Sequence, residues 1–180
     1  NKQDELASQL KLMGNGLHQV KSVILTHLHV DHVGGIPAMQ GIPFMVNEME
    51  YHHNSHAFLL PSWFNPFKIK LTGKSVGSFQ QSFPITESGN MHLVATPGHT
   101  KGHCSVLLQT DEADILFAGD VVYSMEQLIN NTLSAPNDLK TSRKSYQAIK
   151  EYAASRPLIF LPSHDTNAVQ RLERNTVLKA

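Results

Sequence analysis

The stretch that most constrains this chain runs from Thr26 to Gly35 and reads THLHVDHVGG, so that three histidines and one carboxylate fall within six positions. An apolar run precedes it and predicts a strand, and two glycines follow it, which give the backbone freedom to turn. Imidazole and carboxylate groups are ligands for zinc and other divalent first-row metals. Four such groups on one loop exceed what a single catalytic metal takes from one segment, so the motif predicts two metal ions.

The side-chain directions in this loop follow from an extended strand end. Side chains alternate there, so His27, His29 and Asp31 are expected on one side of the chain. After the chain turns at its two glycines, His32 is expected on the opposite flank of the same pocket. A single histidine in such a place is usually a hydrogen-bonded polar residue, whereas the complete H-x-H-x-D-H spacing after a strand favours a metal site.

Three further loops, each after a predicted strand, carry metal-binding residue types. A T-P-G-H sequence ends in His99, the next candidate ligand, and His103 is expected to support that loop rather than to bind metal. Asp120 follows a glycine at the end of an apolar strand, which is a poor place for a surface charge and a suitable one for a ligand. The last strand delivers His164, the final candidate ligand, and Tyr123 follows Asp120 closely enough to lean over the same pocket.

Composition argues against several classes of partner. The 15 Lys and Arg balance the 15 Asp and Glu, so neither a nucleic-acid surface nor an anionic-membrane surface is predicted. No run of about 18 apolar residues is present to span a bilayer. The single cysteine, Cys104, excludes an intrachain disulfide framework and favours a reducing, cytoplasmic location. No signal peptide is visible, and since the chain lacks an initiator Met, residue 1 is not expected to be the natural start.

The pattern along the chain predicts a single domain over residues 1–180, without internal repeats or linkers. The aromatic and proline-rich stretch 57–68 predicts an ordered loop, in which Trp63 either lines a substrate pocket or packs on the core. A second group of histidines is expected on a solvated helix face: His52, His53 and His56. The predicted strands are 20–26, 41–46, 91–96, 104–109, 115–118 and 158–162, and the predicted helices are 4–13, 142–155 and 167–178, with two more beginning near 36 and 48.

Taken together, H-x-H-x-D-H, T-P-G-H, G-D and a late strand-borne histidine resemble the metallo-β-lactamase superfamily, from about residue 4 to residue 166. The resemblance implies an α+β fold, an αβ/βα sandwich of two mixed β-sheets flanked by helices, with the metals at one edge. The opening strands of the family's first sheet are missing here, so the domain is expected to be N-terminally incomplete. Without those strands, one sheet would have an uncovered apolar face and edge. Either the chain is a truncated or partly recorded form, or a partner chain, such as a second copy in a homodimer, covers that face.

The resemblance also implies how two metal ions would be held. One metal would take His27, His29 and His99, the other would take Asp31, His32 and His164, and Asp120 would bridge them. Zinc is the favoured metal, although such ligands also accept iron, manganese or cobalt. Most members carry glycine before the last histidine, whereas this chain carries Ser163, which leaves the ligand in place.

The complete first motif is similar to that of glyoxalase II, the tRNA-processing ribonucleases and the N-acyl-homoserine-lactone lactonases, whereas class B β-lactamases typically lack a histidine at the position of His32. In those lactonases a tyrosine three residues after the bridging aspartate contacts the substrate carbonyl, and Tyr123 has that spacing. The resemblance therefore implies a dinuclear metal-dependent hydrolase of an ester-like bond in a small molecule, with a lactone favoured. A metal-bridging hydroxide would attack, and Asp120, Tyr123 and Asp31 are the expected catalytic residues.

Two alternatives stay open, and a nuclease is not one of them, because no basic cluster stands out. The first is a thioester hydrolase of the glyoxalase II type, which is less favoured because the chain ends shortly after His164. A metal-binding domain without turnover is the alternative from a different class. A redox role of the diiron-flavoprotein type is disfavoured because that branch carries Glu where this chain has His29.

Overall fold

The computed structural model describes residues 5–53, 59–133 and 138–179. The chain divides into two compact units at Ile69, and each unit has its own β-sheet and its own hydrophobic core. The prediction of one domain over residues 1–180 stays a prediction. Three predictions fall partly or wholly outside the described residues: His56, the start of the helix at 4–13 and the first residues of the loop at 57–68.

Three short strands form the sheet of the first unit. The elements of this unit are α1 (Leu6–Leu12), β1 (Val23–Leu25), α2 (Val30–Val33), β2 (Phe44–Asn47), α3 (Glu48–His53) and β3 (Phe67–Ile69), with 3-10 helices at Leu17–Gln19 and Ile36–Met39. The strand order is β1-β2-β3, and Leu25 pairs with Val46, so the loops after β1 and β2 leave the sheet at the same edge. The resemblance implies a mixed sheet, whereas the described strands are parallel throughout because crossover segments rather than hairpins join them.

One apolar cluster forms the core of the first unit. Its buried members are Leu25, Leu28, Val33, Ile36, Met39, Phe44, Val46 and Phe64. Leu28 lies between the first two histidines of the H-x-H-x-D-H motif, and its side chain is 1% exposed. Trp63 packs against the same cluster, with its ring centroid 6.5 Å from that of Phe44. The core therefore anchors the histidine motif through its second residue.

The second unit carries a five-stranded mixed sheet. Its elements are β4 (Ser82–Pro84), β5 (Met91–Ala95), β6 (Cys104–Leu108), β7 (Asp114–Gly119), α4 (Met125–Ile129), α5 (Leu139–Ser155), β8 (Leu158–Pro162) and α6 (Ala168–Glu173). The order is β4-β5-β6-β7-β8; all neighbours are antiparallel except β7 and β8. The ends of β5, β7 and β8 and the start of β6 consequently lie at one edge of the sheet, which is where three predicted site loops emerge.

The apolar face of α5 covers part of this second sheet. Tyr146, Ile149 and Tyr152 are buried in the core of the second unit, as their helical spacing predicts. The helix begins at Leu139, three residues before its predicted start, because the Asp138 side chain accepts hydrogen bonds from the first backbone N–H groups and acts as N-cap.

Other boundaries also differ from the predictions. α4 lies where no helix is predicted, and its N-cap Ser124 accepts a hydrogen bond from the Gln127 N–H. The last helix is shorter than the predicted 167–178, since Asn175 adopts a left-handed φ of 50° just beyond it. In the described parts of the chain, no helix combines the length and the apolar character needed to cross a membrane.

Candidate metal centre

The first unit presents a group that we call the first histidine cluster: His27, His29, Asp31 and His32. His27 is buried, and its ring lies edge-on to that of His29 with the centroids 4.7 Å apart. The ring of His32 also contacts His27, at a centroid distance of 4.2 Å. The three imidazoles predicted from the motif therefore lie together at the end of β1.

The backbone of this cluster is not extended throughout, although the predicted alternation of its side chains requires an extended chain. His29 is the last extended residue, with ψ of 155°, and α2 begins at Val30. Asp31 therefore lies on a helical turn beside His32, with its Oδ2 atom 3.5 Å from His32 Nε2 and its side chain 52% exposed. The prediction that Asp31 lies on the same side as His27 and His29 is wrong, because the side-chain period changes from 2.0 to 3.6 residues at the start of the helix.

The two glycines after the motif also differ from expectation. Gly34 and Gly35 have φ of −58° and −81°, which are right-handed helical values that most residues adopt. The turn is therefore made by α2 and the 3-10 helix that follows it, and not by the conformational freedom of glycine.

Glu50, which the sequence motifs do not single out, contacts the backbone between His27 and His29. Glu50, in α3, is 3% exposed, and its Oε1 atom accepts a hydrogen bond from the Leu28 N–H at 2.9 Å. The available signal was the position of Glu50 shortly after β2, but its use requires knowledge that β1 and β2 are parallel neighbours.

The second unit presents a group that we call the Asp120 cluster: His99, Asp120, Tyr123 and His164. Asp120 is 2% exposed, and its Oδ2 atom accepts a hydrogen bond from His164 Nε2 at 3.0 Å. The same oxygen lies 3.6 Å from Nε2 of His99, which is also buried. The structure thus brings together all three ligands predicted from this part of the chain, with the carboxylate between the two imidazoles.

Strand direction explains why these residues meet. β7 and β8 are parallel, and Gly119 pairs with Pro162, so Asp120 and His164 follow at the same edge. β5 runs in the same direction two strands away, and its following loop carries His99. Gly119 has a φ of 57°, which turns the chain sharply before Asp120.

Tyr123 lies against both histidines of the Asp120 cluster. Its ring centroid is 5.9 Å from that of His99 and 5.3 Å from that of His164. The Tyr123 N–H donates to the side chain of Gln127 in α4, which fixes the tyrosine just before the helix. The ring of Tyr123 therefore lies beside two of the predicted ligands.

His103 connects two parts of the Asp120 cluster through hydrogen bonds. Its Nε2 atom accepts from the Asp120 N–H at 3.0 Å, so the ring proton is on Nδ1, which donates to the Thr96 carbonyl at 3.0 Å. The Thr96 hydroxyl in turn contacts Ser105, which donates to the Ala118 carbonyl. The prediction that His103 supports the loop is consistent with these contacts, and the acceptor bond to Asp120 adds a specific role.

The loop that carries His99 is fixed against the start of α5. Ser145 Oγ donates to the Pro97 carbonyl at 2.6 Å, and the Asp138 N–H donates to the Gly98 carbonyl at 3.1 Å. Gly98 has a φ of 138°, and a Cβ atom on it would lie 2.7 Å from Ser142 Cα. Glycine is required here both by the backbone angle and by the close approach of the helix.

Asp165, next to His164, fixes the loop after β8. Burial by itself raises the pKa of this carboxyl, but hydrogen bonds from the Met125 N–H, Arg171 and the Asn167 N–H outweigh it and lower the pKa below its ordinary value. Arg171 reaches Asp165 Oδ2 at 2.7 Å and also donates to the Phe160 carbonyl. α6 therefore holds the backbone on both sides of His164.

Three other histidines have structural surroundings. His52 and His53 are exposed on α3, and His53 Nδ1 lies 2.9 Å from the Met49 carbonyl, in agreement with the predicted solvated face. His92 Nε2 donates to the Gly89 carbonyl at the turn before β5.

The donors of the two clusters suit divalent first-row metals. Imidazole nitrogens and carboxylate oxygens bind zinc, iron, manganese and cobalt, and neither cluster contains the thiolates that select softer ions. Each cluster offers at least two ligand atoms within 4.8 Å of each other, as a shared ion requires. The residues that could hold metal are His27, His29, Asp31 and His32 in the first unit and His99, Asp120 and His164 in the second.

Comparison with known proteins gives a family model and several similar proteins. The model of the metallo-β-lactamase superfamily matches residues 1–164. An N-acyl homoserine lactonase from a Bacillus species is 28% identical over 171 residues, covering 91% of this chain and 63% of that relative. The chain therefore spans somewhat less than two thirds of the length of this curated relative.

Solved structures share the fold. An N-acyl homoserine lactone hydrolase, solved with the product N-hexanoyl-L-homoserine at its catalytic metal centre, matches with a TM-score of 0.72 at 23% identity, covering 94% of this chain and 66% of its own. AidC, a dizinc quorum-quenching lactonase, matches with a TM-score of 0.66 at 16% identity, covering 89% of this chain and 63% of its own. The fold implied by the sequence motifs is confirmed. Since the family model covers most of its length, the chain belongs to the metallo-β-lactamase superfamily.

Proposed function

We propose that this chain is the metal-binding part of a hydrolase that opens the lactone ring of a small molecule. The first histidine cluster and the Asp120 cluster together would hold two divalent metal ions, with zinc favoured. The substrate class we propose is the N-acyl homoserine lactones. Family membership supports a metal-dependent hydrolase, and the relatives named as lactonases support this substrate class.

One observation carries the proposal. The buried carboxylate of Asp120 lies between His99 and His164, and the ring of Tyr123 contacts both histidines. A carboxylate with one imidazole on each side suits a ligand shared by two metals. The tyrosine beside it supplies a phenol donor near the place where a substrate carbonyl would be bound.

The roles of the ligands follow the division between two ions. His27, His29 and His99 would hold one ion, Asp31, His32 and His164 the other, and Asp120 both. When bound, such a pair of ions lowers the pKa of water and polarises a carbonyl oxygen. Asp120 would link the two groups of ligands and is a candidate acceptor for the proton released from water. Asp31 would also orient His32, its neighbour at 3.5 Å.

Tyr123 would bind the substrate carbonyl. Its hydroxyl group would donate a hydrogen bond to the oxygen that becomes negatively charged when the carbonyl is attacked. Its ring would exclude water from the buried side of Asp120. This role separates the lactonase proposal from glyoxalase II, because the sequence resemblance links a tyrosine at this spacing to the lactonases.

The test uses the full-length protein loaded with Zn²⁺ and two substrates, N-hexanoyl homoserine lactone and S-lactoylglutathione. We expect two metal ions per chain and turnover of the lactone. Replacing Asp120 or His29 with Ala should abolish turnover and lower the metal content, whereas the control His53→Ala, on the exposed face of α3, should change neither.

The remaining outcomes decide between the alternatives. Preferred turnover of the thioester would favour an enzyme of the glyoxalase II type. Two bound metals with turnover of neither substrate would favour a metal-binding domain. Unchanged turnover in Asp120→Ala or in His29→Ala would refute the site. The cytoplasmic location and the homodimer stay predictions.

A further inference from the structure

Glu50, in α3, contacts the backbone of Leu28, which lies between His27 and His29 of the first histidine cluster. We propose that Glu50 is a positioning residue: its side chain holds the backbone between His27 and His29 and so sets the geometry in which these two histidines bind one metal ion. This inference rests on the proposed metal site. It adds a residue that supplies no metal ligand itself but determines how tightly two ligands bind.

The contact is a buried hydrogen bond between residues far apart in sequence. Glu50 Oε1 accepts from the Leu28 N–H at 2.9 Å, across 22 positions, and both side chains are buried. Leu28 lies after the end of β1 and before the start of α2, so no strand or helix supplies a partner for its N–H. A buried backbone donor needs an acceptor, and Glu50 provides it.

The arrangement follows from the parallel sheet of the first unit. Leu25 at the end of β1 pairs with Val46 in β2, so both chains leave the sheet at the same edge. Leu28 is three residues beyond Leu25, and Glu50 is four residues beyond Val46. Because α3 starts directly after β2, its first turn brings Glu50 back over the loop that follows β1.

Leu28 is consequently held at two points. Its side chain is packed in the core cluster of the first unit, and its N–H is bound by Glu50. With the middle residue held in this way, the flanking His27 and His29 have fixed backbone positions, and their rings lie 4.7 Å apart. Preorganised ligands bind metal more tightly, because less freedom is lost on binding.

A simpler explanation is that Glu50 only interacts favourably with the N-terminus of α3. Acidic residues in the first turn of a helix do so, and Glu48 is another. Such residues are normally solvated, however, whereas Glu50 is 3% exposed. Burial of a carboxyl group is costly without hydrogen bonds, so the bond to Leu28 explains the buried position and the helix terminus does not.

The experiment compares three variants of the full-length protein. Glu50→Gln keeps a side-chain oxygen acceptor, Glu50→Met keeps the approximate length without an acceptor, and Glu48→Gln is the control on the same turn. Each metal-free protein is titrated with Co²⁺ against a competing chelator, the visible spectrum reports each binding step, and thermal unfolding without metal reports stability.

We expect Glu50→Met to weaken one of the two Co²⁺ binding steps by about 10–100-fold and to leave the other unchanged. Glu50→Gln and Glu48→Gln should bind both ions within about twofold of the wild type. A purely structural role would instead weaken both steps in proportion to lost stability. Hydrogen exchange of the Leu28 amide, expected to be slow in the wild type and in Glu50→Gln, reports the contact if Glu50→Met does not fold.

Several results would overturn the proposal. These are wild-type affinity in Glu50→Met, equal weakening of both steps, a Glu50→Gln variant as weak as Glu50→Met, or fast exchange of the Leu28 amide in the wild type. A wild-type protein that binds no Co²⁺ would instead remove the proposed metal site, and with it the proposed function. Failure of Glu50 alone is thus distinct from failure of the site.

Discussion

At the scale of single residues, His103 illustrates a histidine that shapes the site without being a predicted ligand. It is fully buried, accepts from the Asp120 N–H and donates to the Thr96 carbonyl. The ring thereby ties the start of the loop containing His99 to the backbone of Asp120. A ligand and the carboxylate beside it are held through one neutral imidazole.

Replacing His103 with Leu should therefore affect stability and metal binding together. The Asp120 N–H and the Thr96 carbonyl would lose a buried partner, at about 1–3 kcal/mol for each group. We expect weaker Zn²⁺ binding as well, by about tenfold or more. Urea unfolding and chelator competition measure the two effects. His103→Gln, which offers one donor and one acceptor, should recover part of both losses, and no recovery would contradict the hydrogen-bonding role.

Tyr123 allows a prediction that separates binding of metal from turnover. Tyr123→Phe keeps the ring that contacts His99 and His164 but removes the hydroxyl donor. Metal content should stay unchanged while kcat for lactone opening falls by about 10²-fold, the loss typical of one oxyanion donor. Steady-state kinetics and metal analysis of the same sample check this. A phenylalanine variant with wild-type kcat would remove Tyr123 from the catalytic residues.

The sequence predicts residues of the site when their chemical type and local spacing are both informative. His27, His29 and His32 are recognisable from the motif alone, and Asp120 from its place after an apolar strand. Glu50 is not recognisable in this way, because its partner is 22 positions away and acidic residues are common in first helical turns. Its role depends on strand register, which only the folded chain specifies.

At the scale of the elements, the loop containing His99 depends on close packing against α5. Gly98→Ala would place a Cβ atom 2.7 Å from Ser142 Cα and strain a backbone with φ of 138°. We expect the free energy of unfolding to fall by about 2–4 kcal/mol. The matched control is Gly34→Ala, where φ is −58° and the nearest atom would lie 3.7 Å away.

The control should change stability by less than about 1 kcal/mol, since alanine fits that backbone without strain. Chemical denaturation of both variants measures the difference. Equal effects of the two substitutions would contradict the proposed contact between the loop and α5.

A second link between elements joins the start of β7 to the end of α5. Asp114 is fully buried and accepts hydrogen bonds from Tyr152, Arg156 and the Thr110 N–H. Burial alone raises the pKa of Asp114, but these bonds outweigh it and hold the pKa below its ordinary value of 3.8. Burial, together with the bond to Asp114, raises the pKa of Tyr152 to about 12, so its hydroxyl stays a donor at neutral pH.

This arrangement predicts a defined pH dependence of stability. Because the pKa of Asp114 is lower in the folded chain than in the unfolded chain, its contribution is present above the unfolded value and is lost as the pH falls through the folded value. Asp114→Asn should lower the free energy of unfolding by about 2 kcal/mol at pH 7. The difference from wild type should shrink below about pH 4.

Urea unfolding at pH 7, 5 and 3 measures the effect of Asp114→Asn. The control Asp111→Asn, at an exposed position of the same turn, should change stability by less than about 0.5 kcal/mol. A difference between wild type and Asp114→Asn that is the same at all three pH values would contradict the stabilising role of the carboxylate.

Element type is predicted better than element boundaries. The apolar runs give the positions of β1, β5, β6, β7 and β8, and helical spacing gives the buried face of α5. The change from strand to helix inside the first motif is not visible, because histidine and aspartate have no strong preference for either. α4 is missed for a similar reason, since its cap at Ser124 lies in a polar stretch without clear periodicity.

At the scale of the whole molecule, seven predicted ligands come from two compact units with separate cores. Each unit fixes its own cluster through internal contacts, Glu50 in the first and His103 in the second. The proposed function requires both units to contribute ligands, since four of the seven lie before Ile69 and three lie after it. The order of the motifs along the chain was sufficient to identify the superfamily, which the family model confirms.

The most direct test of this account is a crystal structure of the Zn²⁺-loaded protein with diffraction data collected at the zinc edge. We expect two anomalous peaks, one bound by His27, His29 and His99 and the other by Asp31, His32 and His164, with Asp120 in contact with both. A single peak, or peaks away from Asp120, would contradict the proposal that the two clusters share a pair of metal ions.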